Sequence, residues 1–249
     1  MIGRKSARDL EKMRRAGRAL AEVHRELAKA IEPGVQIKEL DMLADRLIRE
    51  RGGIPSFLGY RGYPGCICAS PNEIIVHGIP DERVLKGGDI LSVDVGLTLD
   101  GWHADSAVTH AVGTIAPLAR RLLEVTEASL AAGIEQCRPG RHLSDVSHAI
   151  EEVVVGEGFS VVREFVGHGI GRALHEDPQI PNFGPPGEGP VLEPGMVLAI
   201  EPMVNVGGWK TKTLGDGWTV VTLDGSLSAH FEHTVAVTEN GPEVLTRRD

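Results

Sequence analysis

Asp94 and Glu201 stand in strongly apolar runs, Val93-Asp94-Val95 and Ala199-Ile200-Glu201. Each is followed by a second acid, Asp105 and Glu232, which opens a run rich in β-branched residues. An acid in a polar loop is a solvated surface charge, whereas an acid set among Val and Ile is costly to place. Two strand–turn–strand units facing one another, with one carboxylate on each arm, would bring four carboxylates around one point. Such groups raise one another's pKa and cannot all ionise without a cation among them, or protons. Hard oxygen donors joined by one or two imidazoles suit a pair of divalent first-row ions. Imidazoles are at hand. Val166-Gly167-His168-Gly169-Ile170-Gly171-Arg172-Ala173-Leu174-His175 carries two histidines among three glycines. The glycines allow close backbone approach and argue against a helix. His77, in Ile74-Ile75-Val76-His77-Gly78-Ile79-Pro80, is a third candidate that could equally be a turn histidine.

The elements that would carry these residues repeat. Arg8 to Ile31 has Leu10, Met13, Ala16, Leu20, Val23, Leu27 and Ile31 at helical spacing, and Pro33-Gly34 ends it. A second helix runs from about Lys38 to Arg51 and stops at Gly52-Gly53. Asp89 to Val95 reads as a strand with Asp94 at its end. The plan then recurs, with helices over Pro117 to Cys137 and Leu143 to Val155 and a strand over Gly195 to Glu201. Pro139-Gly140 stands 106 residues (139 − 33) after Pro33-Gly34, and Glu201 stands 107 (201 − 94) after Asp94. One pseudo-symmetric domain built from two copies of an α+β unit follows. The first copy turns sharply at Leu99-Asp100-Gly101; the second has a longer turn holding Asp224-Gly225.

Composition limits the function classes. The chain has 249 residues, 41% hydrophobic and 24% charged, which are globular values with room for a substantial core. A net charge of −9 argues against nucleic acid as the main ligand. No apolar stretch approaches a membrane span, and the charged N-terminus has no signal-peptide core. Three cysteines cannot build a disulfide framework, so a reducing cytoplasm is the expected setting. With 31 glycines and 15 prolines the backbone makes many tight turns, and at 4% aromatic residues the core is mostly aliphatic.

Several segments together resemble the methionine aminopeptidases in order and spacing over nearly the whole chain. They are Asn72 to Pro80, the Asp94–Asp105 pair, Gly167 to Gly171, His175-Glu176-Asp177-Pro178, Ala199 to Pro202, and Ser226 to Thr234. The resemblance implies the α+β pita-bread fold, with two pseudo-symmetric halves and a curved antiparallel sheet covered by helices. Residues 1–249 would be a single catalytic domain with halves of about 8–113 and 114–241. Five metal ligands are implied: Asp105 and Glu232 bridging, Asp94 on one ion, and His168 with Glu201 on the other. His77 and His175 would touch substrate without binding metal. Tyr60, Tyr63, Cys68 and Trp218 align with the methionine pocket, where a thiol suits a thioether. Leu174 departs from the aromatic residue of many relatives and bears on the pocket's fine shape.

The span from Glu201 to Glu232 has room only for a hairpin and loop, so the helical insertion of the type 2 enzymes does not fit. No zinc-binding Cys/His extension precedes the domain, and the resemblance is to the short, bacterial-style type 1 form. The implied reaction uses two divalent ions, cobalt, manganese, iron or zinc, sharing a bridging water that supplies hydroxide. Glu201 would move its proton, His175 would bind the carbonyl oxygen, and His77 would orient the next amide. The implied partner is the nascent polypeptide N-terminus with a small second residue, met in transient contact with the ribosome by a cytoplasmic monomer. X-Pro peptidases share the ligands but usually carry a large extra N-terminal domain. A metal-free binding protein of this fold would show a replaced ligand, and all five are intact.

Overall fold

A computed structural model describes residues 2–248. Its helices are α1 Ala7–Ala30, α2 Ile37–Glu50, α3 Pro117–Glu135 and α4 Leu143–Gly156, each within two residues of its expected ends. A capping box starts α1: Ser6 Oγ accepts the Asp9 N–H at 3.2 Å, and Asp9 Oδ2 accepts the Ser6 N–H at 3.2 Å. Its buried face, including Met13, Leu20 and Leu27, recurs at helical spacing.

The first half contributes strands β1 Ile54–Pro55, β2 Ile67–Pro71, β3 Ile74–Val76, β4 Ile90–Leu99 and β5 Trp102–Ala111. The second contributes β6 Ser160–Val161, β7 Gly167–Gly169, β8 Glu176–Ile180, β9 Val197–Ile200, β10 Met203–Asn205, β11 Thr211–Thr213, β12 Val220–Thr222, β13 Ser228–His230, β14 His233–Thr238 and β15 Gly241–Val244. All pairings are antiparallel. β5 lies along one edge of β4, with β2 and then β1 along the other. The second half's main sheet runs β15-β14-β9-β7-β8. Each half has its own apolar core beneath its helix pair.

The duplication is visible in hydrogen bonds. Gly34 N–H donates to Leu85 O at 2.9 Å, and Gly140 N–H donates to Leu192 O at 3.0 Å. The isolated bridge Gln36↔Val84 returns as His142↔Val191. Both glycines hold positive φ, 101° and 86°, which closes the same turn after each first helix.

Two local expectations need correction. Asp94 is in the middle of β4, because that strand runs on to Leu99 and pairs with β5 along its whole length. The stretch between Glu201 and Glu232 is more than a hairpin and loop. Turns at Gly207-Gly208, Asp216-Gly217 and Asp224-Gly225 cut it into β10 to β13, which join two separate three-stranded sheets. β14 nevertheless returns to pair with β9, Ile200 opposite His233, leaving Glu201 and Glu232 together at the open end of that ladder.

Candidate metal centre and substrate cavity

Register sets the first pair of acids. Asp94 lies opposite Ala107, and Asp105 opposite Gly96. The two positions are one diagonal step apart, so both carboxylates project from the same face. β5 is stitched to the second half at this point. Thr234 Oγ1 accepts the Asp105 N–H at 3.0 Å and donates to the Asp105 carbonyl at 2.8 Å. Ser106 Oγ donates to the Glu232 carbonyl at 3.0 Å, and the Glu232 N–H donates to Ala107 O at 2.9 Å. The two acid pairs therefore face one another across a fixed seam.

His168 reaches the acids from β7. A Cβ on Gly167 would lie 2.4 Å from Ala199 O, and one on Gly169 would lie 2.1 Å from Asp177 O. Only glycine lets β8 and β9 close on both sides of that histidine. Its Nδ1 is 2.9 Å from Gly169 O. A carbonyl only accepts, so the proton is on Nδ1 and the Nε2 lone pair is free. Nε2 lies 3.5 Å from Glu201 Oε1 and 4.0 Å from Asp105 Oδ2. These are not ion pairs, because burial, helped by His175, pulls the ring down to about 4 and keeps it neutral. Ligand atoms of Asp105, His168 and Glu232 all fall within 4.8 Å of one another.

Electrostatics mark the same point. Burial raises Asp105 to about 7. Asp94, Glu201 and Glu232 are also pushed above the ordinary carboxylate range, by burial first and by their acidic neighbours second. Asp94 Oδ1 and Glu232 Oε1 are buried with no hydrogen-bond partner.

One cavity of about 170 Å³ brings together all the side chains singled out from the sequence: Asp94, Asp105, His168, Glu201 and Glu232 with His77, His175, Tyr60, Tyr63, Cys68 and Trp218. Away from the acids its walls are aromatic and apolar. Tyr63 meets Trp218 edge-on at 5.1 Å, and its hydroxyl is taken up by the carbonyls of Gly78 at 2.9 Å and Ile67 at 3.0 Å. Burial raises the Cys68 thiol well above its usual range, so it stays protonated and inert. Leu174 is buried in the same wall. His77 has φ 59°, uncommon for a non-glycine residue, and this turns it into the cavity directly after β3. Burial, with His175 nearby, lowers it to about 4. Tyr60, on a short helical turn, stacks on His175 at 5.3 Å, and its hydroxyl is 2.9 Å from His175 Nδ1.

Sequence reasoning missed several members. Phe57 and Arg61 also line the cavity. Buried His230 has its Nε2 3.8 Å from Glu201 Oε2, and Asn182 Nδ2 donates to the Glu201 carbonyl at 3.1 Å. His230 had a signal, since it stands two residues before Glu232 and a two-residue step in extended chain returns to the same face. Asn182 had none.

Comparison with known proteins identifies the family. Residues 11–239 match the model of metallopeptidase family M24. The chain is 59% identical to methionine aminopeptidase 1 of Bacillus subtilis (strain 168), covering 99% of this chain and all of that one. It superimposes on the crystal structure of the Thermotoga maritima methionine aminopeptidase with a TM-score of 0.98 at 49% identity, over 99% of this chain and 100% of that one. The Rickettsia prowazekii methionine aminopeptidase gives the same TM-score and coverage at 42% identity.

Proposed function

The chain belongs to metallopeptidase family M24, with its pita-bread fold, and from that premise we propose that it removes the N-terminal methionine from nascent proteins and peptides whose second residue is small. One observation carries the reading: a single cavity joins a buried carboxylate–imidazole centre to an apolar slot. The donor set suits divalent cations. The His168 lone pair faces carboxylate oxygens, and Asp94 Oδ1 and Glu232 Oε1 have no other partner. Two such ions, cobalt, manganese, iron or zinc, would when bound polarise the carbonyl and acidify a water.

The protein's own groups divide the remaining work. Asp105 and Glu232, one from each half, would hold both ions; Asp94 would hold one, and His168 with Glu201 the other. Glu201, at the edge of the acid cluster, accepts the proton of the attacking water and returns it to the leaving nitrogen. Water oxygen bonds to the carbonyl carbon, the C–N bond to the second residue breaks, and the nitrogen departs as an amine. His175 donates a hydrogen bond to the carbonyl oxygen as charge develops there. His77 orients the amide of the second residue. Tyr60, Tyr63, Cys68 and Trp218 enclose the first side chain.

Residues 1–249 act as one catalytic domain, with halves of about 8–113 and 114–241, because each half supplies part of the centre. We place the enzyme in the cytoplasm as a monomer that meets nascent chains in transient contact with the ribosome. No helix among the described residues is long and apolar enough to cross a membrane. The test is turnover of Met-Ala, Pro-Ala and Lys-Ala peptides by protein purified without added metal and then loaded with each ion in turn, alongside metal analysis. Cleavage of Met-Ala alone is expected. Comparable cleavage of Pro- or Lys-initiated peptides would overturn the methionine assignment.

A further inference from the structure

Tyr60 and Tyr63 were alike in the sequence, two aromatic rings beside a slot. Their hydroxyls diverge. Tyr63 anchors to scaffold carbonyls, whereas Tyr60 Oη lies 2.9 Å from His175 Nδ1 with the rings stacked at 26°. A neutral imidazole carries one N–H, and the nitrogen that holds it is set by the hydrogen bond the other nitrogen makes. The contact permits two arrangements. Either the phenol donates to a bare Nδ1 and the proton stays on Nε2, or Nδ1–H donates to the phenol oxygen and Nε2 is bare. For the Tyr60 hydroxyl proton, His175 Nδ1 is the acceptor at hydrogen-bond distance. A phenol also loses its proton much more readily than a neutral imidazole N–H, which favours phenol donation.

We propose that Tyr60 is a positioning residue: its hydroxyl donates to His175 Nδ1 and thereby keeps the proton on Nε2, the nitrogen left to face the scissile carbonyl oxygen. The tautomer matters because a bare Nε2 would present a lone pair to an oxygen that is gaining negative charge. His168, 4.3 Å away ring to ring, is set the opposite way by Gly169 O. Two adjacent histidines thus carry complementary tautomers. His168 offers a lone pair and His175 offers a proton, each fixed by a partner on Nδ1. The sorting uses a hydroxyl in one case and a backbone carbonyl in the other. A carbonyl can only accept, so the two settings cannot interchange without moving the rings.

This assignment rests on His175 acting as the donor in the proposed reaction, and its test separates the two. Tyr60→Phe keeps the ring wall and removes only the hydroxyl. In the zinc-loaded protein, ¹⁵N-histidine NMR of the wild type is expected to show His175 with Nε2 protonated and Nδ1 bare. Tyr60→Phe should give a mixture of tautomers. On Met-Ala peptides kcat should fall about three- to tenfold, the range expected for one lost hydrogen bond, with KM within about twofold. In a His175→Ala background the Tyr60→Phe change should have no further effect on kcat. A wild-type spectrum with the proton on Nδ1, or a Tyr60→Phe variant with unaltered tautomer and unaltered kcat, overturns the proposal. A rise in KM alone would assign the hydroxyl to substrate binding and not to His175, and overturns it too. The NMR readout needs no turnover, so failure to cleave Met-peptides would defeat the functional reading while leaving the tautomer assignment standing.

Discussion

Asp105 sits at the junction of the two acid pairs, hydrogen-bonded through its backbone to Thr234 and close to His168. Its carboxylate repels Asp94, Glu201 and Glu232, whose pKa values it helps to raise. Asp105→Asn therefore acts in two directions. It relieves repulsion in the metal-free protein, and it removes the carboxylate proposed to hold both ions. The melting temperature in EDTA is expected to hold or rise. The stabilisation on adding manganese or cobalt should vanish, a loss of about 2.7 kcal/mol at an ion concentration of 100 Kd. Retention of that metal-dependent shift, measured by calorimetry, would show that Asp105 is not a shared ligand. At the slot, Trp218 closes a wall against Tyr63. A hydrophobic pocket resolves one methylene by only about 1–3 kcal/mol. Norleucine at the first position should therefore be cleaved measurably, and Val, Lys or Glu should not. Trp218→Ala should raise KM more than it lowers kcat, because ground state and transition state lose the wall alike. A kcat defect at constant KM in steady-state assays would contradict this. Residue types and spacing nominated Asp105, whereas Trp218, Tyr60 and Tyr63 were reached only through the resemblance to the methionine aminopeptidases. Neither gave a sign of what Tyr60 and Tyr63 do differently, since hydroxyl direction is set by the backbone each ring packs against.

Strands set the precision of the centre. The helices could be read from periodicity because each buries one stripe on its own half, so α1 to α4 begin and end close to where Pro, Gly and polar caps place them. The segment between Glu201 and Glu232 could not. Its strands are three residues each, too short to show alternation, and their partners β3 and β6 lie far away in sequence. What joins them is tertiary pairing, which no local pattern announces. β7 is equally short; its glycines argued against a helix and for close backbone approach without announcing a strand, and they bear a steric load. Gly169→Ala places a methyl carbon against the Asp177 carbonyl, which is backbone and cannot rotate away. β7 and β8 must then separate, carrying His168 off its 3.5 Å approach to Glu201. Overpacking of this kind costs about 1–3 kcal/mol. A lowered melting temperature together with weakened metal affinity is expected, the second seen by isothermal titration of the folded variant. Unchanged metal affinity would mean that His168 is held by something other than this close approach.

At the scale of the whole molecule, each half folds around its own core, and the centre is where the halves meet. That arrangement ties stability to pH with a sign that depends on metal. Buried histidines act first. His24, His77, His110, His168 and His230 are held below their ordinary value chiefly by burial. A base with a lowered folded pKa destabilises the fold as pH drops below its unfolded value of about 6.5, because the unfolded chain takes up the proton. The acids act oppositely. A carboxyl whose folded pKa is raised destabilises the fold as pH climbs from its unfolded value, near 4, to its folded one, about 7 for Asp105. Between about pH 6 and 7 the two effects compete while the unfolded chain's histidines lose their protons, and above about pH 7.5 only the acids contribute. Each carboxyl still protonated in the fold then removes about 1.4 kcal/mol per pH unit. Metal-free protein is therefore expected to be most stable near pH 6.5 and to lose stability towards pH 8. Bound ions require the same carboxylates deprotonated, so their affinity grows over that interval and the decline should disappear or reverse. Thermal melts at pH 6.5, 7.25 and 8, in EDTA and in excess zinc, check this directly. Parallel pH slopes with and without metal would mean that the four carboxylates are not the groups that bind the ions.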